Sequence, residues 1–323
     1  MCTRILWNTT DVAVLAARTM DWPDSTAPVL TVLPRGMERR GGEVAGTSVV
    51  GEVGAMWTSR YGSVVTTMYG VGTADGVNEH GLAAHLLYLA DTNFGDRDES
   101  RPGVHAGLWP QYLLDNAATV TEALALMAGV QVVMMEAEGH KATVHLALED
   151  ATGDSAIIEY LDGERFIHHD RDHIVLTNEP PYAEQRRLLA EQDFSAPSDT
   201  TPLAGNVDPV ARFQRAAYFT GLLPPPSSER QAVAGVLAVA RNVSIPFGAP
   251  YEGFGLYNTE YRTVVDLTNR RYFFELSTSP NVVWIDLDNL DFAPGRPTLL
   301  LDPDDIILSG EISASLTPGP APF

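Results

Sequence analysis

A single cysteine stands at position 2, directly after Met1. If Met1 is trimmed, one residue carries both a thiol and a free α-amine. An α-amine has a reference pKa of about 7.7 to 8.0, so near neutral pH a useful fraction can accept the thiol proton and no histidine is required. Thiolate, amine and a stabilising cation suffice for acyl transfer through a covalent thioester, provided a donor holds the developing oxyanion. A buried, inert cysteine is the bland alternative for any lone thiol. One cysteine allows no internal disulfide and no cysteine cluster for zinc or iron–sulfur.

Other chemistries find less support. The sequence holds no G-x-S-x-G elbow, Walker loop, H-E-x-x-H or G-x-G-x-x-G. The run His168, His169, Asp170, Arg171, Asp172, His173 could present metal ligands, but Arg171 sits among them and no second cluster completes a coordination shell. It reads better as a polar approach to the apolar segment Ile174 to Leu176, and neither a metal nor a cofactor is expected.

The elements that must position Cys2 are mainly strands. Thr3 to Arg18 reads as two β segments split by a polar turn at Asn8, Thr9, Thr10 and Asp11, with VAVLAA as a nearly continuous apolar strand. Further strands are predicted at Val29 to Leu33, Ser63 to Met68, Leu82 to Leu89, Ala142 to Leu148, Ala156 to Tyr160 and Ile174 to Thr177. Three more follow at Tyr261 to Leu267, Tyr272 to Leu276 and Val282 to Ile285, bounded by turn residues. Helical spacing marks Leu108 to Asp115, then a capping box at Thr119 and Glu122. A second helical group begins near Asp208 and resumes after Pro224, Pro225 and Pro226 with a capping box at Ser228 and Gln231. Strands first, helices in two separated groups and strands last predict an α+β layered sandwich rather than a doubly wound parallel sheet.

Length favours one domain over residues 1–323, and the prolines of SLTPGPAPF predict a flexible surface extension at about 315–323. Hydrophobic content of 45% and charged content of 20% fit a globular protein. A formal charge of −21 repels phosphate backbones and anionic headgroups, so nucleic acid and membranes are not expected partners. No apolar run approaches the ~20 residues of a membrane span. MCTRILWNTT lacks the layout of a secretory signal, so a cytoplasmic protein is expected.

MCTRI, ARTMDW, WTSRYGSV, ADGVNEHGL, VLTNEP and VARF, in that order, resemble the choloylglycine hydrolase family, which includes penicillin V acylases and bile salt hydrolases. The resemblance runs from Met1 to about Asp288 and implies an αββα N-terminal-nucleophile fold that hydrolyses a linear amide. It implies that Cys2 is the nucleophile, that Arg18 and Asp21 support its thiol and amine, and that Asn178 donates to the oxyanion. Arg212 of VARF matches an arginine near the nucleophile, and the backbone amide at Tyr88 matches the second oxyanion donor.

Tyr88 stands where bile salt hydrolases usually carry asparagine and penicillin V acylases tyrosine. Trp22 is similar to a tryptophan of the Gram-negative type of acylase, where it lines an aromatic-accepting acyl pocket. The resemblance therefore implies a small-molecule amide substrate: penicillin V, a similar aryloxyacetyl or fatty N-acyl amide, or an N-acyl homoserine lactone. A bile salt substrate, or a non-catalytic ligand-binding protein on the same scaffold, are the alternatives. The segment between Asn178 and Arg212 is short beside the long assembly loop of Gram-positive members, so a homo-oligomer is allowed but not assembly by that loop.

Overall fold

The computed structural model describes residues 1–251 and 255–323. The strands used below are, in chain order, β1 (Cys2–Trp7), β2 (Leu15–Trp22), β3 (Val29–Leu33), β4 (Ser63–Met68), β5 (Gly72–Asn78), β6 (Ala83–Tyr88), β7 (Val144–Glu149) and β8 (Ser155–Leu161). They continue with β9 (Glu164–His169), β10 (Val175–Leu176), β11 (Gly255–Asp266), β12 (Arg271–Leu276), β13 (Val283–Asp286), β14 (Leu299–Leu301), β15 (Gly310–Glu311) and β16 (Thr317–Pro318). The helices are α1 (Trp109–Asn116), α2 (Val120–Leu126), α3 (Tyr182–Ala190), α4 (Pro209–Gly221) and α5 (Glu229–Asn242).

Two large sheets form. The first runs β10, β1, β2, β11, β12, β13, β15, with Ala249–Tyr251 also pairing β11; the second runs β9, β8, β7, β6, β5, β4, β3, β14, β16. Helices α4 and α5 pack on the first sheet and α1 on the second, giving the αββα order of an N-terminal-nucleophile hydrolase.

Strand alternation explains how one strand serves two layers. In β6, Ala83 and Leu87 join Cys2, Leu6, Ala16 and Met20 between the sheets, whereas Ala84 and Leu86 pack with Trp109 and Leu113 of α1. Strand β1 is buried along its whole length, between the second sheet on one face and α4 and α5 on the other. Its neighbour β2 is buried from Leu15 to Asp21, and that burial is why VAVLAA, which runs into it, reads as a nearly unbroken apolar segment.

The caps follow the sequence with small shifts. Asp208 Oδ1 accepts from Ala211 N at 2.9 Å to start α4, with Pro209 at the first helical position. Thr119 Oγ1 accepts from Glu122 N at 3.2 Å, but the Glu122 carboxylate reaches Ala118 N at 2.8 Å, one residue ahead of the cap. Ser228 and Gln231 repeat this arrangement, with Gln231 Oε1 accepting from Ser227 N at 2.7 Å.

Three elements differ from the sequence expectations. Residues Gly72–Asn78 form a fully buried strand although GTADGVN has little β propensity, because pairing on both sides outweighs local preference. The histidine run is partly strand β9, an edge paired to β8. Helix α3 buries only Tyr182 and Gln185, too few apolar positions to show a period.

Near the carboxy terminus, where a surface extension was expected, Thr317–Pro318 pairs with β14 at the outer edge of the second sheet, a place where proline's missing N–H breaks no ladder. Arg39 donates to the Phe323 carbonyl at 2.8 Å. Among the described residues no helix is long and apolar enough to cross a membrane.

Because α4 carries Arg212 toward β1, its cap bears on the site. Asp208→Ala is expected to lower the unfolding free energy by about 1 kcal/mol, measured by urea titration.

Candidate active site

Cys2 opens β1 and is 2% exposed. Antiparallel pairing with β2 sets Cys2 opposite Met20 and Arg4 opposite Arg18, so Cys2, Arg4, Arg18 and Met20 share the face turned to the second sheet. From that face Arg18 Nη2 donates to Cys2 Sγ at 2.9 Å, while Nη1 donates to the Ala74 carbonyl at 2.8 Å. Burial weakens the Arg18 cation, but the charges of Cys2 and Asp75 and the phenol of Tyr261 outweigh it and raise its pKa, so it is always charged.

Strand alternation puts Asp21 on the same face of β2 as Thr19, and a register shift between Met20 and Asp21, with Glu260 as the extra residue on β11, brings Thr259 opposite it. Its Oδ2 accepts from Thr19 Oγ1 at 2.9 Å and its Oδ1 from Thr259 Oγ1 at 2.5 Å. Arg212 Nη1 lies 3.5 Å from Oδ2.

Arg212, reaching from α4, joins the parts. Its guanidinium donates to the Cys2 carbonyl at 2.7 Å, Thr3 Oγ1 at 2.6 Å, Asn178 Oδ1 at 2.8 Å and the Val207 carbonyl at 2.8 Å. Asn178 follows β10, and its Oδ1 also accepts from Cys2 N at 2.9 Å. Two donors on one side of the amide fix its orientation. Nδ2 must therefore face the other way, where it donates to the Tyr88 carbonyl at 2.6 Å. Nδ2 has two hydrogens and this bond uses one.

Met1 extends the chain beyond Cys2 as a strand-like residue: Asp21 N donates to the Met1 carbonyl at 2.7 Å and the Met1 amine donates to the Asp21 carbonyl. Its side chain packs with Ile245 and Tyr257. Burial lowers the pKa of that amine against the opposing pull of Cys2 and Asp21.

An opening lies beside the thiol. β5 and β6 pair from Val77–Ala83 only as far as Asp75–His85, and beyond that point Gly72, Ala74, Leu86 and Tyr88 line a cleft that reaches Cys2. Met20, Met68, Val71, Met135 and Val144 make it mainly apolar. Trp22 and Tyr88 flank it with ring centroids 5.8 Å apart and planes tilted by 59°.

All seven residues singled out from the sequence, Cys2, Arg18, Asp21, Trp22, Tyr88, Asn178 and Arg212, thus meet around one thiol. Sequence reasoning missed Thr3, Thr19 and Thr259, which hold Arg212 and Asp21, and the methionines of the cleft. Thr19, inside ARTMD two residues before Asp21, was the one visible signal. The histidine run lies elsewhere: His169 meets Asp154 at 2.8 Å, and His173 meets the Tyr182 hydroxyl at 3.0 Å and Arg186 at 2.8 Å. Among the described residues no group of three or more His, Cys, Asp or Glu could hold a metal.

A thiol beside an arginine, with a backbone nitrogen held by an asparagine on the same residue and two sheets between helical layers, defines a cysteine amide hydrolase of the N-terminal-nucleophile class. The family model for linear amide C–N hydrolases, choloylglycine hydrolase family, matches residues 2–307, and the chain belongs to that family. It is 35% identical to the penicillin V acylase of Pectobacterium atrosepticum, over 94% of this chain and 86% of that protein. The solved penicillin V acylase of Agrobacterium tumefaciens superposes with a TM-score of 0.89 at 38% identity, covering 100% of this chain and 98% of that one. A variant of the conjugated bile acid hydrolase of Clostridium perfringens matches with a TM-score of 0.81 at 18% identity, over 96% and 98% of the chains, and so shares the fold. The chain is a penicillin V acylase-like amide hydrolase.

Arg212 is fully buried and satisfies acceptors from four residues besides its ion pair with Asp21. Arg212→Ala is expected to destabilise the fold by about 3 to 5 kcal/mol, read from the denaturant midpoint, since it strands a buried carboxylate.

Proposed function

We propose that the enzyme, once Met1 is removed, cleaves penicillin V or a similar aryloxyacetyl or fatty N-acyl amide, N-acyl homoserine lactones included. The observation that carries this reading is the apolar cleft at Cys2 Sγ with Trp22 and Tyr88 as its aromatic walls. A flat aryloxy group or an alkyl chain fits such a slot, whereas a rigid steroid fits it poorly.

The Cys2 nitrogen becomes the α-amine. It keeps Asn178 Oδ1 as an acceptor, which orients its lone pair toward the thiol rather than the asparagine. The amine takes the thiol proton, and the thiolate, beside Arg18, attacks the amide carbonyl. The carbonyl π electrons move to oxygen, giving a tetrahedral oxyanion. Asn178 Nδ2 supplies one donor with its second hydrogen.

Tyr88 N supplies the other. Leu89 N bonds to the Thr143 carbonyl, so pleat alternation turns the Tyr88 N–H and C=O to the opposite strand edge, where its carbonyl meets Asn178. Collapse breaks the C–N bond, and the α-ammonium returns its proton to the leaving amine. Water, deprotonated by the same α-amine, then hydrolyses the thioester to a carboxylic acid and the free thiol. Asp21, held by Thr19, Thr259 and Arg212, supports the charged amine in both halves of the cycle.

A hydrolysis panel on Met1-processed protein tests the reading. Penicillin V or a long-chain N-acyl homoserine lactone should show a higher kcat/KM than glycocholate, Trp22→Ala should narrow the gap, and Cys2→Ala should be inactive with its fold intact. Preference of the wild-type enzyme for glycocholate would overturn the substrate class. Asn178→Ala is expected to lower kcat by about a hundredfold or more with a smaller change in KM; an unchanged kcat would remove it from the oxyanion hole.

A further inference from the structure

Behind the thiol, away from the cleft, lies a set of charged side chains of which the mechanism above uses Arg18 alone. Arg4 and Arg18 come from the first sheet, Asp75, His85 and Glu149 from the second, and all five side chains are fully buried. Arg4 Nε lies 3.2 Å from Glu149 Oε2, and Glu149 Oε1 lies 2.5 Å from His85 Nε2. His85 Nδ1 lies 3.6 Å from Asp75 Oδ2, and Asp75 Oδ1 lies 3.9 Å from Arg18 Nη1. Arg18 then donates to Cys2 Sγ at 2.9 Å. The signs alternate along the whole path.

His85 is the one member whose charge is open to choice. Each ring nitrogen lies beside a carboxylate oxygen as an ion-pair contact without hydrogen-bond geometry, and the protonated ring is the state that answers both carboxylates. Burial opposes the charged ring, but Glu149 and Asp75 outweigh it and raise its pKa. Burial likewise opposes ionisation of both carboxyls, yet His85 with Arg18, and His85 with Arg4, hold Asp75 and Glu149 below their ordinary values.

Among the described residues no further charge enters from the neighbouring strands. Tyr272 donates to Asp75 Oδ2 at 3.0 Å and Thr263 Oγ1 to the same oxygen at 2.6 Å. Burial holds the phenols of Tyr272 and Tyr261 far above their ordinary pKa, so both stay neutral. His145, also on β7, is engaged separately with Glu159 at 3.0 Å.

We propose that His85 is a positioning residue for Cys2: as an imidazolium it leaves the Arg4–Glu149–His85–Asp75–Arg18 chain with one unbalanced positive charge, which the Cys2 thiolate neutralises. With a neutral ring, two arginines and two carboxylates would cancel and Arg18 would be fully engaged by Asp75. With the cation, Arg18 is shared between Asp75 at 3.9 Å and the sulfur at 2.9 Å, and the shorter contact goes to sulfur. Asp75 and His85 are direct cross-strand neighbours, so the charge sits in the ladder and not on a movable loop.

The inference rests on Cys2 as nucleophile, and its test reads the thiol itself, so the two can fail separately. The pH midpoint of Cys2 alkylation by iodoacetamide is measured in Met1-processed protein. His85→Gln removes a cation and should move the midpoint up by about one pH unit, with about tenfold slower alkylation at neutral pH. Asp75→Asn removes an anion and should move it down. The double variant His85→Gln/Asp75→Asn restores the net charge and should return the midpoint to that of the wild type. Should His85→Gln fail to fold, Asp75→Asn and the double variant, in which no carboxylate faces the lost cation from β5, carry the test. Midpoints that move in the same direction in both single variants, that do not move, or that are not restored in the double variant would show a merely structural role and overturn the proposal.

Discussion

Two arginines directly opposite each other on neighbouring strands, both turned into the interior, cannot be buried without counter-ions. Arg4 and Arg18 form such a pair on β1 and β2. The carboxylates that answer them, Asp75 and Glu149, belong to the other sheet. Apolar contacts between two sheets tolerate sliding, since one aliphatic surface resembles another. An ion pair between buried groups does not. The charged seam therefore fixes how the second sheet sits on the first, and because Cys2 lies on the same strand face as Arg4, it also fixes where the thiol meets the cleft between β5 and β6.

A second pin works from the outer layer. Arg212 comes from a helix that packs on the far side of β1, yet its guanidinium ends at the Cys2 carbonyl, Thr3 and Asn178. The nucleophile's strand is thus gripped by charge from both directions, through Arg18 on the inner side and Arg212 on the outer. Capping by Asp208 sets where α4 begins, and Arg212 follows one turn later, so a local helix signal is linked to the geometry of the thiol.

How far this was legible in the sequence depended on whether local pattern or tertiary pairing decided each piece. Ser63–Met68 and Val29–Leu33 were readable to the residue because β-branched runs ended in turn residues. Cys2 was readable because of its position alone. Gly72–Asn78 was not, since its strand state comes from neighbours on both sides, and it carries Asp75, the carboxylate nearest Arg18. The Arg18–Asp21 pair, Asn178 and Arg212 lie far apart in the chain, so only their joint order in a family resemblance brought them together. The role of Thr19 had no signal beyond nearness to Asp21 and that of Thr259 had none, because a buried hydroxyl that holds a carboxylate looks like any strand threonine.

Met1 gives the last step of the argument. Among the described residues it makes two main-chain bonds, both to Asp21, and packs in an apolar cluster with Ile245, Tyr257 and the partly buried Tyr88, Val207, Ala249 and Tyr251. None of the interactions that orient the thiol passes through it: Arg18 holds the sulfur, Asn178 the Cys2 nitrogen and Arg212 the Cys2 carbonyl. On the proposed reading, loss of Met1 would unmask an amine in a place already shaped to hold it, with an acceptor at 2.9 Å and a cation beside the sulfur. A site held by buried charges rather than by loops has little freedom to relax, which is the condition under which fixed donors stabilise a developing oxyanion without reorganising.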